Sequence, residues 1–134
     1  MSNQMIKVLV IDDEEGLADF MQRILSLKGY AAFMETDGIG AVNFFKNERP
    51  DIVLIDIDLG YSEVDGVEVL KRIKEIDKNA VCIMVTRITD EESVKKSKEY
   101  GAMHYLLKPL DSKDIVAAVN EAAEVIRQRR QLGG

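Results

Sequence analysis

Polar residues stand directly after short apolar runs of this sequence, at positions where side chains can do chemistry. Asp56 and Asp58 end the stretch VLIDIDLG with only Ile57 between them. Because a strand projects residues i and i+2 to the same face, these carboxylates are expected to flank one point in space. An aspartate placed in this way can act as the nucleophile in phosphoryl transfer. The spacing therefore indicates phosphoryl chemistry, or a strand that simply ends in acids facing water.

The elements that must position these acids are short apolar runs separated by segments of helical period. Continuous apolar runs of this length are typical of parallel strands that are covered on both faces. The runs are KVLVI (7–11), YAAFME (30–35), DIVLI (51–55), AVCIMV (80–85) and HYLLK (104–108). Their alternation with helices predicts an α/β fold, a (βα)5 doubly wound five-stranded parallel sheet.

Four helices are predicted to lie on the sheet, because their apolar residues recur at helical spacing. These residues are Leu17, Phe20, Met21, Ile24 and Leu25; Ile39, Val42 and Phe45, ending near Pro50; Val67, Leu70 and Ile73; and Ile115, Ala118, Val119, Ala122 and Ile126. The segment TDEESVKKSKEYG differs, since it has a capping box at Thr89 and Glu92 but only Val94 and Tyr100 as large apolar residues. We expect a weakly anchored helix there, either movable or simply solvated.

Composition narrows the class of protein. With 134 residues, of which 46% are hydrophobic and 31% charged, the chain can form one domain with a core. A net charge of −6 argues against nucleic acid or an anionic membrane as the main partner. The single cysteine, Cys82, lies in an apolar run and is expected to be a buried, inert thiol. No run approaches the ~20 residues of a membrane span and no signal peptide is visible, so we expect a cytoplasmic protein.

The predicted strand ends bring several polar groups to one edge of the sheet, where parallel folds bind ligands. They are Asp12 and Asp13, Asp56, Thr86 and Lys108. Two unit charges about 4 Å apart repel by roughly 4 kcal/mol at an effective dielectric near 20, so the carboxylates need cations. Lys108 supplies one, and the hard oxygen ligands predict bound Mg²⁺ (or Mn²⁺) as another. Asp56 would then attack a phosphoryl group whose oxygens Lys108 and the Thr86 hydroxyl stabilise.

The motifs VLVIDDEE, VLIDIDLG ahead of DGVEVLKRIK, MVTR and GAMHYLLKPL, in this order, resemble the receiver domain of bacterial two-component response regulators. The resemblance covers about residues 6 to 126 and implies the flavodoxin-like receiver fold. It implies that Asp56 accepts a phosphoryl group from the phosphohistidine of a sensor histidine kinase or a histidine phosphotransfer protein. Asp12, Asp13, Asp56 and the backbone carbonyl of Asp58 would hold the metal. Such a domain is not a conventional enzyme, although it catalyses its own phosphorylation and dephosphorylation.

The resemblance also implies a switch made by Thr86 and Tyr105. In the family the phosphate recruits the fourth-strand hydroxyl and the aromatic side chain tends to turn inward. The face made by the last two helices and the fifth strand, which can also form dimers, then changes. Tyr105 could instead be an ordinary aromatic at the edge of the core. A cis peptide often precedes the proline that here is Pro109.

Two other classes of protein share part of this pattern. Haloacid dehalogenase-like phosphatases use a D-x-D motif with a nucleophile and a general acid, corresponding to Asp56 and Asp58, but their acidic pair comes last in the chain. Flavodoxins share the architecture, but they need a Ser/Thr/Gly loop after the first strand, and here that loop reads DDEEG. Each acid, taken singly, could also be a solvated strand end.

Three departures from the receiver pattern lie near the expected site. The loop IDLGYSEVDG has Gly60 where proline is common and about two extra residues. Asp58 adds an acid beside the phosphoacceptor, where we expect a local modulator. Arg87 replaces a small residue, and we hypothesise that it narrows access to the acyl phosphate and lengthens its lifetime.

The C-terminal residues limit what the chain can do by itself. The basic cluster RQRR (127–130) suits the negative end of a helix dipole, and only QLGG follows it. We expect a single receiver domain over residues 1–134, with a core of about 6–127 and a short basic tail. It would act on a downstream protein, or on an output domain from which it was cut. His104, the one histidine, is not expected to carry phosphate.

Overall fold

The computed structural model describes residues 5–60, 62–87 and 91–133, and in them five strands alternate with five helices. The strands are β1 (Lys7–Ile11), β2 (Ala31–Glu35), β3 (Ile52–Asp56), β4 (Val81–Thr86) and β5 (His104–Leu107). The helices are α1 (Glu15–Leu27), α2 (Gly38–Glu48), α3 (Gly66–Ile76), α4 (Glu91–Glu99) and α5 (Ser112–Leu132). The predicted α/β fold is confirmed, and the predicted strand bounds differ by at most one residue.

The strands form one parallel sheet in the order β2-β1-β3-β4-β5. After β2 the chain crosses back over β1 to β3, so the topology switches direction between β1 and β3. Loops that leave β1 and β3 at this point run to opposite sides and open a crevice at the carboxyl ends of the strands. The sheet thus provides one edge at which side chains that follow β1, β3, β4 and β5 can meet.

Both faces of the sheet are buried, as the continuous apolar runs predict. Val8 and Val10 of β1 pack in the cluster beneath α1 and α5, while Leu9 and Ile11 pack in the cluster beneath α2 and α3. The side chain of Cys82 belongs to the second cluster and is fully buried, and this burial raises the pKa of its thiol to about 12. The expectation of a buried thiol is therefore confirmed.

Two apolar side chains that were expected to face the sheet lie at the surface instead. Phe20 is 43% exposed and Ile39 is 40% exposed. The buried face of α1 is formed by Ala18, Met21 and Leu25, and at 100° per residue this places Phe20 at the rim. Helical spacing therefore identified the helices correctly, but the prediction assigned too many apolar residues to their buried faces.

Helix α4 is anchored weakly, as its sequence predicts. Ser97 is its one fully buried residue, and the Ser97 hydroxyl donates a hydrogen bond to the carbonyl oxygen of Ser93 at 2.8 Å. Val94 and Tyr100 are partly buried. The expected cap residue, Thr89, lies outside the described residues. Because few apolar side chains hold α4, it belongs to the elements with the lowest local stability.

The basic residues at the C-terminus form part of α5 and make tertiary contacts. Arg129 donates a hydrogen bond to the backbone oxygen of Asn79, and Arg130 lies 3.3 Å from a carboxylate oxygen of Asp51. Their position in the last turn also suits the helix dipole. Among the helices of the described residues, none is long and apolar enough to cross a membrane.

Gly66, the first residue of α3, lies where the backbone of the loop after β3 comes closest. A Cβ atom at this position would lie 2.0 Å from the backbone oxygen of Asp56 and 2.7 Å from Cα of Ile57. The Gly66 amide also donates a hydrogen bond to the Ile57 carbonyl at 2.9 Å. Helix α3 can therefore begin against the end of β3 only because this residue lacks a side chain.

We predict that Gly66→Ala lowers the free energy of unfolding by at least about 2 kcal/mol, because backbone atoms must move to admit the methyl group. Gly16→Ala is the matched control, since a Cβ there meets no atom within 4 Å. Gly16 lies in the first turn of α1, where alanine should be neutral or stabilising by up to about 1 kcal/mol. Urea denaturation measures both changes, and equal effects would contradict the prediction.

Candidate functional site

Lys108 is held between two carboxylates at the edge of the sheet. Its Nζ atom lies 2.9 Å from Oδ2 of Asp56 and 3.0 Å from Oδ2 of Asp12. The side chains are almost completely enclosed, with exposed fractions of 6% for Lys108, 4% for Asp56 and 0% for Asp12. Removing Lys108 from this arrangement would leave two buried carboxylates without their counter-ion, and an unpaired buried charge typically destabilises a protein by about 3–5 kcal/mol.

The strand register explains how three distant residues meet. β1 pairs with β3, which in turn pairs with β4, and β4 pairs with β5 up to Thr86 and Leu107. The Lys108 amide then donates to the Thr86 carbonyl at 2.8 Å, so the ladder continues one step past the strand. The peptide bond between Lys108 and Pro109 is cis. The backbone hydrogen bond to Thr86 places Lys108 beside the end of β4, and from there its side chain reaches Asp56.

The two buried aspartates are also fixed by their own backbone. Oδ1 of Asp12 accepts a hydrogen bond from the Glu14 amide at 2.9 Å, and Oδ1 of Asp56 accepts one from the Asp58 amide at 3.1 Å. Each is an i to i+2 turn, which aspartate forms readily where a chain leaves a regular element. One oxygen of each carboxylate thus faces the backbone, and the other faces Lys108.

Burial governs the charge state of the site. Burial raises the pKa of Asp56 most, the Lys108 hydrogen bond lowers it and the nearby Asp12 carboxylate raises it, and together these effects take it from 3.8 to about 6. Partial burial, then Asp12, also raises the pKa of Asp13. For Lys108, burial disfavours the ammonium form, but the hydrogen bond to Asp56 and the charges of Asp56 and Asp12 outweigh it and leave the pKa raised. Lys108 is thus cationic at neutral pH.

The acidic residues fit a divalent cation. Asp12, Asp13 and Asp56 each offer an oxygen atom, and these atoms lie within 4.8 Å of one another. Oδ2 of Asp12 is fully buried and accepts no hydrogen bond of regular geometry, although it lies in ion-pair distance of Lys108. A buried carboxylate oxygen without a hydrogen bond is unfavourable unless a cation approaches it. Carboxylate oxygens with open positions are the ligands that Mg²⁺ prefers.

Asp58 lines the same cavity as Asp56, but strand alternation does not explain its position. β3 ends at Asp56, so the two-residue period does not extend to Asp58. The Asp58 side chain is exposed and accepts a hydrogen bond from the Gly60 amide at 3.0 Å. It therefore shapes the loop after β3. Its backbone carbonyl as a metal ligand stays a prediction.

The loop after β3 is attached to the rest of the protein despite its extra length. Leu59 is 2% exposed and Val64 is 6% exposed, and both pack in the cluster beneath α2 and α3. The Ser62 hydroxyl accepts a hydrogen bond from the Gly38 amide at 3.0 Å and donates one to Asp37 at 3.3 Å. The loop thus forms a defined wall of the site.

Thr86 and Tyr105, the expected switch residues, lie on the same face of β4 and β5, because Tyr105 pairs with Met84, two residues before Thr86. Thr86 is buried and lines a cavity of about 440 Å³ together with Asp13, Asp56 and Lys108. Tyr105 is half-buried, and its hydroxyl donates a hydrogen bond to the Val94 carbonyl of α4 at 3.2 Å. Burial raises the pKa of the Tyr105 hydroxyl. Tyr105 therefore connects β5 to α4, while Thr86 faces the site.

Sequence reasoning missed one residue at the mouth of the site, Glu14. Its carboxylate lies 3.9 Å from Lys108 Nζ and forms an ion pair with the Arg87 guanidinium. The motif DDEE could have indicated this residue, because Glu14 directly follows the Asp12–Asp13 pair and must therefore lie near the same edge of the sheet. The partner could not be predicted, since Arg87 lies 73 residues further along the chain.

The chain belongs to the response regulator receiver domain family, whose model matches residues 8–120. It is 35% identical over 115 residues to sporulation initiation phosphotransferase F of Bacillus subtilis, covering 86% of this chain and 91% of that protein. It is 34% identical to the chemotaxis protein CheY of Treponema pallidum, covering 84% of this chain and 79% of that protein. The expected resemblance is thereby confirmed.

Solved structures show the same fold. A CheY-like response regulator receiver domain protein from Methanospirillum hungatei superimposes with a TM-score of 0.87 at 25% identity, covering 93% of this chain and 99% of that one. NtrX from Brucella abortus also superimposes with a TM-score of 0.87 at 25% identity, but the match covers 97% of this chain and 30% of that one. The chain therefore spans about a third of the longer relative.

We predict that Asp56→Asn is more stable than the unchanged protein at pH 8 in the presence of EDTA, by about 1–3 kcal/mol. Because the folded state raises the pKa of Asp56 to about 6, it binds this proton more tightly than the unfolded chain does. The carboxylate therefore makes stability fall as the pH rises from about 4 through 6, and asparagine removes that loss.

Urea denaturation between pH 5 and pH 8 measures this difference, which should grow as the pH rises. Asp19→Asn is the matched control, since the Asp19 side chain is 44% exposed in its ion pair with Arg23. It should be nearly neutral at every pH. A stability gain from Asp56→Asn that does not depend on pH would contradict the assignment of the effect to the carboxylate.

Proposed function

We propose that this receiver domain accepts a phosphoryl group on Asp56 and thereby changes a docking surface. The observation that carries the proposal is the enclosed Asp56 carboxylate, 2.9 Å from the Lys108 ammonium at the head of the cavity. With a pKa of about 6, Asp56 is mainly ionised at neutral pH yet is more basic than an ordinary aspartate. A buried, partly neutralised carboxylate of this kind is suited to act as a nucleophile.

The proposed donor is the phosphohistidine of a sensor histidine kinase or of a histidine phosphotransfer protein. A carboxylate oxygen of Asp56 bonds to phosphorus while the bond from phosphorus to the imidazole nitrogen breaks, and the leaving imidazole takes up a proton. Lys108 stabilises the charge on the phosphoryl oxygens, and the Thr86 hydroxyl donates a hydrogen bond to one of them. The buried side chains keep this geometry fixed and limit the water that can compete.

Asp12, Asp13, Asp56 and the backbone carbonyl of Asp58 are the proposed ligands of Mg²⁺, with Mn²⁺ as a substitute. When bound, the ion neutralises charge on the carboxylates and on the transferring phosphoryl group. The close approach of the three aspartate oxygens, whose combined negative charge exceeds the single positive charge of Lys108, supports this assignment.

The signalling context is part of the proposal, and the relatives differ in it. One relative is by name a sporulation initiation phosphotransferase, and another is a chemotaxis protein. A regulatory protein from Escherichia coli, AtoC, matches 94% of this chain but only 27% of its own length. We therefore propose that residues 1–134 form one cytoplasmic receiver domain that acts on a downstream protein or on an output domain.

The proposed docking surface is the face formed by α4, β5 and α5, which is also the proposed dimer face. Tyr105 and Thr86 are the proposed switch residues. Two features support this choice: α4 is weakly anchored, and the Tyr105 hydroxyl attaches it to β5 through Val94. Phosphorylation adds roughly −1.5 to −2 charges beside Thr86 at neutral pH, which suffices to bias such an element.

A haloacid dehalogenase-like reaction is a less suitable alternative. That chemistry needs the second acid of D-x-D as a proton donor to the leaving group. The Asp58 side chain instead accepts a hydrogen bond from Gly60 in the loop after β3. An acid engaged in this turn is better suited to shaping the loop than to donating a proton.

We predict that incubation with a small-molecule phosphodonor and Mg²⁺ adds the mass of one phosphoryl group to the intact protein. Asp56→Asn should abolish the addition, because an amide oxygen is a poor nucleophile. Asp58→Asn is the matched control and should still be phosphorylated, since its side chain shapes the loop. Intact-mass spectrometry measures the adduct, and a phosphate-release assay detects turnover if hydrolysis is fast. Absence of both signals from the folded, Mg²⁺-binding protein would reject the phosphoacceptor role.

We predict further that Mg²⁺ raises the melting temperature at pH 7.5 and that its affinity falls as the pH drops through about 6. Protons and the metal compete for Asp56, whose pKa is about 6, and binding to the folded state alone stabilises it. Asp13→Asn should weaken Mg²⁺ binding at least about tenfold. Glu15→Gln removes an exposed acid nearby and should change it little. Calorimetry that finds equal affinities for these variants would contradict the assigned ligands.

A further inference from the structure

The ion pair of Glu14 and Arg87 crosses the mouth of the site. Glu14 follows β1 and Arg87 follows β4, and these two strands flank β3 in the sheet. A contact between their ends must therefore pass over the end of β3, where Asp56 lies. Glu14 lies on the Lys108 side of the site, since its carboxylate is 3.9 Å from that ammonium group.

The pair also separates two adjoining cavities. Glu14, Arg87 and Lys108 line the cavity of about 440 Å³ that holds Asp56 and Thr86. The same three residues line a second cavity of about 420 Å³, whose other walls are Leu17, Pro109 and Leu110. The first cavity is polar and contains the carboxylates. Apart from the three shared residues, the second cavity is lined by apolar side chains. The guanidinium of Arg87 thus stands at the boundary between them.

The pair is held weakly, so Arg87 can exchange partners. The side chains of Arg87 and Glu14 are 66% and 50% exposed, and exposed ion pairs are weak because water screens them. A phosphoryl group carries more charge than a carboxylate and offers three acceptor oxygens, to which arginine binds with two parallel hydrogen bonds. A phosphoryl group on Asp56 would therefore compete with Glu14 for the guanidinium.

We propose that Arg87 leaves Glu14 and binds the phosphoryl group on Asp56, and that this exchange sets the lifetime of the phosphorylated state. This inference rests on the proposed function, because it requires a phosphoryl group on Asp56. Arg87 is the residue that touches the phosphoryl oxygens, and Glu14 is a positioning residue that acts through Arg87. The larger the fraction of time for which Arg87 is bound to the phosphoryl group, the slower the acyl phosphate is hydrolysed.

Loss of the phosphoryl group is a hydrolysis. Water bonds to phosphorus, the bond from phosphorus to the Asp56 oxygen breaks, and the products are the free carboxylate, inorganic phosphate and a proton. Arg87 bound to the phosphoryl oxygens covers the mouth of the cavity that contains Asp56, and so hinders the approach of water. Glu14 opposes this by attracting the guanidinium back to itself.

The experiment measures the rate of phosphoryl loss by intact mass after removal of the donor, in a set of four variants. Arg87→Ala should shorten the lifetime about three- to tenfold, and Arg87→Lys should restore part of it, because it keeps the charge but not the paired hydrogen bonds. Glu14→Gln should lengthen the lifetime about two- to fivefold, because Arg87 is then released. The double variant Glu14→Gln/Arg87→Ala should match Arg87→Ala, since Glu14 acts only through Arg87.

Arg23→Ala is the matched control, because Arg23 also forms an exposed ion pair, with Asp19 on α1. It should leave the lifetime unchanged, and the melting temperatures of all variants should agree within about 3 °C. A phosphorylated protein whose lifetime is insensitive to Arg87→Ala would overturn this inference and leave the proposed function intact. The same conclusion follows if Glu14→Gln acts equally with and without Arg87. Failure of the unchanged protein to take up phosphate would instead reject the proposed function itself.

Discussion

The placement of the Lys108 ammonium between the Asp12 and Asp56 carboxylates is the constraint on which the rest of the site depends. Like charges so close together in a buried environment repel, and burial alone removes the hydration that each would have in water. The lysine offsets both effects, but only because its ammonium lies 3.0 Å from an oxygen of Asp12 and 2.9 Å from an oxygen of Asp56. That precision comes from the sheet, since the three residues follow three different strands.

Backbone hydrogen bonds at the ends of the strands hold the charged residues in place. The Lys108 amide continues the ladder to Thr86, and the amides of Glu14 and Asp58 each fix one oxygen of the aspartate two residues earlier, Asp12 and Asp56. Gly66 then lets α3 begin directly against the β3 end. The charged atoms are therefore oriented before any ligand arrives, which is the arrangement that electrostatic stabilisation of a transition state requires.

The sequence allowed the fold and the inner part of the site to be predicted, because both depend on where apolar runs end. Asp12, Asp56, Thr86 and Lys108 each end or directly follow such a run, and parallel strands bring those ends to one edge. The role of Asp58 was not predictable in the same way, because β3 ends two residues earlier and a turn replaces the strand alternation.

Contacts between surface residues that are distant in the sequence could not be predicted from it either. The Glu14–Arg87 pair and the contacts of Arg129 and Arg130 at the end of α5 join segments with no shared periodic pattern. Helical periodicity likewise could not tell that Phe20 lies at the rim of α1. Each of these features depends on how two packed elements are oriented, a quantity that a hydrophobic pattern determines only coarsely.

The weak anchoring of α4 is the feature on which the proposed switch depends. Tyr105 joins α4 to β5 by one hydrogen bond from its hydroxyl to Val94, and α4 contributes few apolar side chains to the core. A single hydrogen bond contributes about 1 kcal/mol net, so this link adds little to the free energy that holds α4 in position. A ligand shifts a two-state element only by its differential interaction with the two states. In the proposed switch, a charge change beside Thr86, at the end of the strand that pairs with β5, would therefore favour a second position of α4 without disturbing the packed core.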